Sequence, residues 1–204
     1  MPRPEGAARD RVLAAAMDLF GRQGFRATTV AQIEQAAGLS PGAGGLYRHF
    51  RSKYELLETG LREQVAAGAA LRELLAAPPP LAGGAVTDAR EQLVAVAKAG
   101  LARLQEERDL NRLLLRDLAE FPDLLALVRD SELRAVHAGL MAWLHSQPAV
   151  EGTDVEALAA VLMGAVSHYW IMADVFSGRH PLAVEQDSYL HVLVDMTIGL
   201  LRPR

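Results

Sequence analysis

The stretch that most restricts what this chain can become is residues 28–57, TTVAQIEQAAGLSPGAGGLYRHFRSKYELL, because it sets two capping boxes and a glycine stop within thirty residues. Thr29 through Gln32 has the capping-box pattern: the Thr hydroxyl accepts from a free amide of the first turn while the Gln side chain reaches back to the Thr amide. The spacing predicts a helix from about Val30, with Val30, Ile33 and Ala37 on one buried face and Gly38 supplying the positive φ that ends it. Ser40-Pro41 offers a cap oxygen followed by a ring with helix-compatible φ. A second helix is therefore expected to begin there and to turn Leu46 and Phe50 inward. Ser52 to Glu55 repeats the capping box and opens a third helix at Lys53. Helix, tight turn, helix can lay a helix in a DNA groove, and it is also how neighbouring helices pack in any bundle.

Charge separates these two readings. Residues 1–54 hold eight basic side chains (Arg3, Arg9, Arg11, Arg22, Arg26, Arg48, Arg51, Lys53) against four acids (Glu5, Asp10, Asp18, Glu34), a balance of +4; the whole chain is −4, so residues 55–204 carry −8. A basic head on an acidic body suits a phosphate backbone at one end only. Half of the 204 residues are hydrophobic, enough for one small domain plus a larger helical one, each with its own core. With no cysteine, disulfides and thiolate metal sites are excluded, in keeping with a reducing cytoplasm. MPRPEGAARD lacks the apolar core of a signal peptide and no apolar run is expected to reach the length of a membrane span, so the expected location is cytoplasmic, without a membrane partner.

Met1 to Ala8 reads as a terminal arm carrying Arg3. Arg11 to Arg22 is expected to be a helix whose buried stripe is Val12, Ala15, Ala16, Leu19 and Phe20, with Gly21 and Gly24 about its end. The helix opened at Lys53 is expected to run through Leu56, Leu57, Leu61, Val65 and Leu71 to about Ala77, where Pro78-Pro79-Pro80 stops it. Further helices are expected from about Asp88, from Leu110 to Ala119, from Asp123 to Gln147, from the capping box Thr153–Glu156 to about Phe176, and from Glu185 to Leu201.

RVLAAAMDLFGRQGF (Arg11–Phe25), TTVAQIEQAAGLS (Thr28–Ser40) and GGLYRHFRSKYELL (Gly44–Leu57) together resemble the tetracycline-repressor (TetR) family of bacterial transcription regulators. The resemblance implies an all-α repressor with an N-terminal three-helix helix-turn-helix DNA-binding domain and a C-terminal helical-bundle ligand-binding and dimerisation domain. Residues 1–52 would form the arm and DNA-binding domain and residues 53–204 the effector-binding and dimerisation domain, with helix 53–77 connecting them. By the same resemblance, Thr28 or Thr29 and Lys53 stand at helix starts, where free amides favour a phosphate. Tyr47 and His49 match the family's backbone-contacting aromatic and imidazole. Ser40, Ala43, Gly44, Gly45 and Arg48 face base edges; Arg48 could donate two hydrogen bonds to guanine and Ala43 could touch a thymine methyl. For Tyr47 the alternative is packing beside Leu46, and for Arg48 a solvated surface charge.

One departure stands in the recognition segment. The family usually runs Ser-x-Gly-x-Leu-Tyr, whereas here Ser40 and Leu46-Tyr47 are separated by PGAGG, two residues more. Gly42, Gly44 and Gly45 each cost a helix about 1 kcal/mol relative to Ala. The first turn of the recognition helix is expected to fray, or the helix to start nearer Ala43. Either bare backbone comes close to DNA there, or the turn is merely longer.

In the body, His137 shares a stripe with Leu133, Val136, Leu140 and Leu144, as a satisfied core imidazole or a ligand contact. The helix after Thr153 is apolar nearly all round: Leu158, Leu162, Ala165, Val166, Tyr169 and Ala173 form one stripe, and Val161, Gly164, His168, Ile171 and Val175 another. The last helix divides likewise, with Leu190, Leu193, Val194, Thr197 and Leu201 on one side and Val192, Met196 and Gly199 on the other. A helix with two apolar faces must bury both. Either its own neighbours wrap it or a second copy covers the outer set, and the resemblance favours a homodimer. A third row, Met163, Ser167, Trp170 and Asp174, sets polar handles in an apolar wall, as a small-molecule pocket needs. Leu114, Asp117, Phe121, His137 and Met141 are expected to join it around a small, largely apolar effector.

The expected function is thus a DNA-binding transcriptional regulator, a dimeric repressor released from palindromic double-stranded operator DNA by a small-molecule effector. A constitutive DNA binder without an effector and an all-helical enzyme are the alternatives. Against the enzyme, there is no Gly-x-Ser-x-Gly elbow, no His-Glu-x-x-His and no carboxylate–histidine pairing of a di-iron bundle. No catalytic residue, metal or cofactor is expected.

Overall fold

Val12, Ala16 and Phe20 recur every four residues along helix α1 (Glu5–Gln23) and are fully buried, and around this stripe the first part of the molecule packs. The computed structural model describes residues 5–67, 86–147 and 152–201. After α1 come α2 (Val30–Ala36), α3 (Lys53–Ala67), α4 (Val86–Glu106), α5 (Arg108–Arg116), α6 (Pro122–Val128), α7 (Arg134–His145), α8 (Val155–Val175) and α9 (Gln186–Leu200), with no strand among the described residues. The fold is all-α, as expected.

The chain divides into two compact units, Met1–Ala67 with Glu107–Ser131, and Gly68–Glu106 with Glu132–Arg204. The expected boundary at residue 52/53 takes no account of α5 and α6, which belong to the first unit together with α1, α2 and α3. Their Leu110, Leu113, Leu124 and Val128 share one core with Ile33, Leu46, Phe50, Leu56, Leu57 and Leu61. The junction is close. A Cβ on Gly21 would lie 2.2 Å from Asp109 Cβ and 2.5 Å from its Cα. Arg116 Nη2 donates to the α1 carbonyls of Phe20 (2.6 Å) and Gly21 (3.2 Å), and Arg26 pairs with Glu120 at 2.8 Å. Phe121 packs edge-on against Phe25, with ring centroids 5.0 Å apart.

The Asp109 carboxyl at this junction is pushed above the ordinary aspartate range, first by burial and then by the charge of Asp18, against the pull of Arg112, Arg108 and Arg22. A carboxyl whose folded pKa is raised favours the folded state only below its unfolded pKa and loses that advantage as pH rises through the folded value. Asp109→Asn keeps the shape without the charge. It is expected to melt higher than wild type at pH 7 and at the same temperature once pH falls below the ordinary aspartate range. A melting gap that stays constant across pH would remove charge as the cause.

In the second unit, α8 and α9 turn Leu158, Ala159, Leu162, Val194 and Ile198 inward to meet Ala89 and Leu93 of α4 and Leu140, Trp143 and Leu144 of α7. A neighbouring cluster joins Ala97 and Leu101 to Tyr169, Trp170 and Leu190. Arg103 and Glu132 form an ion pair at 2.9 Å with both side chains largely shielded from solvent.

Several expected elements are corrected. α1 starts at Glu5, so the arm is shorter than Met1–Ala8. The expected helix Asp123–Gln147 is two helices joined by a π-turn, Arg129–Leu133, which interrupts the hydrogen-bond ladder. α8 is capped by Asp154, whose carboxylate accepts from Ala157 N at 3.0 Å, rather than by Thr153. At 21 residues α8 is also long and apolar enough to cross a membrane by length and composition, contrary to the expectation that no stretch is. The end of the helix opened at Lys53, beyond Ala67, and the Pro78-Pro79-Pro80 stop lie outside the described residues.

Candidate nucleic-acid interface

The Thr29 capping box forms as the sequence dictates: Thr29 Oγ1 accepts from Gln32 N at 3.3 Å while Gln32 Oε1 accepts from Thr29 N at 2.8 Å. Thr29 is exposed at the start of α2. Thr28 is buried instead, donating from Oγ1 to Gly24 O at 2.7 Å and accepting from Gln23 Nε2 at 3.2 Å. It fixes the α1–α2 turn from inside. Gly38, with φ +73°, ends α2 as expected.

The expected helix from Ser40-Pro41 does not form. Ala43 N donates to Ser40 O at 3.2 Å to close a turn, Gly42 and Gly44 take φ +76° and +73°, and only one 3₁₀ turn follows, Leu46–Arg48. Two left-handed residues within three positions break any right-handed helix, and only glycine takes them without strain. What the loop follows is Glu34. Its side chain is fully buried in the first unit, Oε2 accepting from Gly42 N at 2.7 Å and Oε1 from Leu46 N at 3.0 Å. Sequence reasoning counted Glu34 only as a charge. Its place beside Ile33 on the buried side of α2 was the available signal.

The loop raises Ser40 and Ala43 into solvent with Gly44 and Gly45 half-buried below them, and just beyond it Tyr47 and Arg48 are exposed while Leu46 and Phe50 turn inward. Tyr47 is 57% exposed. The Arg48 guanidinium meets no hydrogen-bond or ion-pair partner among the described residues. His49 is half-buried. Lys53 turns inward: Nζ donates to Phe25 O at 2.7 Å and Thr28 O at 2.8 Å and sits 4.3 Å from the Phe25 ring centre. Burial lowers its pKa. Of three ammonium donors, one is left for an outside partner such as a phosphate.

The body residues expected to line a pocket are distributed between the units. Leu114 and Phe121 pack against the first unit's core, and Asp117 accepts from Arg116 Nε at 2.9 Å. In the second unit, His137 Nε2 lies 2.9 Å from Glu156 O, a satisfied imidazole joining α7 to α8. Met141 and Met163 pack against the larger cluster, and Ser167 and Asp174 are half-buried. Trp170 is 3% exposed, and its Nε1–H is buried without an acceptor among the described residues. No cluster of three metal-ligating side chains occurs among the described residues.

The outer set on α8 and α9 is unburied: Val161 is 61% exposed, Val175 65%, Val192 60% and Met196 67%, with His168, Gly164 and Gly199 also exposed. Ile171 alone of the set is partly covered, against the Tyr169–Trp170 cluster.

Residues 12–59 match the family described as bacterial regulatory proteins, tetR family. The HTH-type transcriptional repressor KstR2 of Mycolicibacterium smegmatis is 39% identical over 62 residues, which make up 30% of this chain and only 29% of that repressor. Similarity of fold reaches much further. A transcriptional regulator from Rhodococcus sp. Rha1 superposes with a TM-score of 0.67 at 25% identity, covering 95% of both chains. A tetR-family regulatory protein from Rhodococcus RHA1 gives 0.68 at 22% identity over 95% of this chain and 96% of that one. Salmonella enterica GusR gives 0.62 at 24% identity over 98% of each.

Proposed function

We propose that this chain, which belongs by its residues 12–59 to the tetR family of bacterial regulatory proteins, is a dimeric repressor that leaves a palindromic operator when a small, largely apolar effector enters its helical body. The observation that carries the reading is the pair of uncovered apolar faces on α8 and α9, where Val161, Val175, Val192, Met196 and Leu200 are each more than half exposed. A soluble chain does not leave such a face to water, and a second copy applied through the same two helices would cover it. The length and apolarity of α8 are then accounted for by that contact, and the cytoplasm, where the DNA is, is the proposed compartment.

A two-fold dimer places two copies of the Ser40–His49 segment in successive major grooves, about 34 to 36 Å apart. Ser40, Ala43 and Arg48 would then face base edges, with Thr29, Tyr47 and His49 against the backbone. The support for an effector is Trp170. A buried donor left unpaired costs about 1–3 kcal/mol, and an acceptor on an incoming ligand would recover it. Such a ligand releases DNA only if it fits one spacing of the recognition segments better than the other.

Duplexes selected from a random pool and titrated over a series of half-site separations test this. Affinity is expected to peak with half-sites one helical turn apart. A compound that moves the Trp170 indole resonance is expected to lower that affinity. Equal binding at every separation would remove the paired-groove geometry.

A further inference from the structure

We infer that Glu34 is the positioning residue on which base discrimination by this interface depends, an inference that rests on the DNA-binding reading above. Between Ser40 and Leu46 the chain carries three glycines, two of them at positive φ, and its only internal backbone bond is Ala43 N to Ser40 O. Glycine loses more conformational freedom on ordering than any other residue, so glycine at three of five positions makes this segment costly to fix. Something outside it must hold one shape. The Glu34 carboxylate does so at both ends of the loop, taking Gly42 N on one oxygen and Leu46 N on the other. Hydrogen bonds to an ionised acceptor are shorter and stronger than neutral ones.

The dependence runs both ways. A carboxylate fully removed from water is costly unless paired, and among the described residues the Glu34 carboxylate is bonded by these two amides. Charge burial and loop shape therefore stand or fall together. The exposed groups that would meet base edges, Ser40 and Ala43 on the loop and Arg48 just after it, inherit their positions from this tether. Base reading tolerates errors of only about half an ångström, whereas attraction to phosphates tolerates much more. Loosening the tether must then damage discrimination while leaving non-specific binding intact. A role confined to stability would weaken both together.

Glu34→Gln keeps the volume and one acceptor, but sets an amide donor against one of the two backbone N–H groups. With a duplex selected by the wild-type chain and a scrambled duplex of equal length, the variant is expected to lose about tenfold to a hundredfold of its preference, the equivalent of one hydrogen bond to a charged group. Affinity for the scrambled duplex should hold or rise, since a negative charge has gone. Unchanged preference, or equal weakening on both duplexes together with a lowered melting temperature, overturns the inference while the DNA-binding reading survives. A wild-type chain that prefers no duplex overturns both. Hydrogen exchange on the wild-type protein gives an independent measure: the Gly42 amide, in an exposed loop, is expected to be protected, and rapid exchange there overturns the tether even if the variant does not fold.

Discussion

Arginine at both Val161 and Met196 is expected to yield a folded monomer that has lost about a hundredfold or more in affinity for a two-half-site duplex. Both side chains are more than three-fifths exposed within the chain, so the substitutions empty no cavity and bury no charge in the single copy. Its own melting should change little. In a dimer joined through α8 and α9, the same positions would set four like charges against an apolar contact, and buried unpaired charges oppose association by several kcal/mol. The loss on DNA follows because two linked half-sites gain about 10² to 10⁴ over one by effective concentration alone. Light scattering behind size exclusion reads the mass, and titration of single and paired half-sites reads the coupling. A wild-type chain that is already monomeric, or a double variant that remains dimeric, would sink the proposed contact.

The second large effect is expected at Gly21. An alanine methyl there would sit 2.2 Å from Asp109 Cβ and 2.5 Å from Asp109 Cα, so α1 and α5 must move apart. Overpacking of this type costs about 1–3 kcal/mol, and a clash with backbone belongs at the upper end. The helix-propensity gain of Gly→Ala returns only about 1 kcal/mol. A net loss of roughly 2 kcal/mol is expected in chemical denaturation of the first unit, large against a total stability of about 5–15 kcal/mol. Gly60 provides the contrast. A Cβ there would meet Met17 Sδ at 2.3 Å, but that is the far end of a flexible side chain which can turn aside. Gly60→Ala is therefore expected to lose less than Gly21→Ala, and the reverse order would show that the α1–α5 approach is not the tight point of the unit.

The strength of Gly21 as a site of damage also marks how far the chain could be read unaided. Helix periodicity and caps act within a few residues, and they were legible: the Thr29–Gln32 box, the stop at Gly38, and the buried stripe Val12, Ala16, Phe20. The two faces of α8 and α9 could be sorted for the same reason, since a 3.6-residue period fixes which side chains share a side whatever lies opposite. The resemblance of residues 11–57 supplied the fold and the DNA-binding role.

Glu34 was not legible, because its meaning lies eight and twelve residues away, in the amides of Gly42 and Leu46. A capping serine and a proline at Ser40-Pro41 are sound local signals for a helix start. They lose to two left-handed glycines and a buried carboxylate that needs those amides. The same holds for Gly21 and Asp109, 88 positions apart, and for the inclusion of α5 and α6 in the first unit. By itself the sequence determined the capped start and glycine stop of α2 and the apolar faces of α1, α8 and α9, because those depend on neighbours along the chain. Tertiary structure alone decided the shape of the recognition loop and the inward turn of Lys53, because each is set by a charged side chain finding its backbone partners across space.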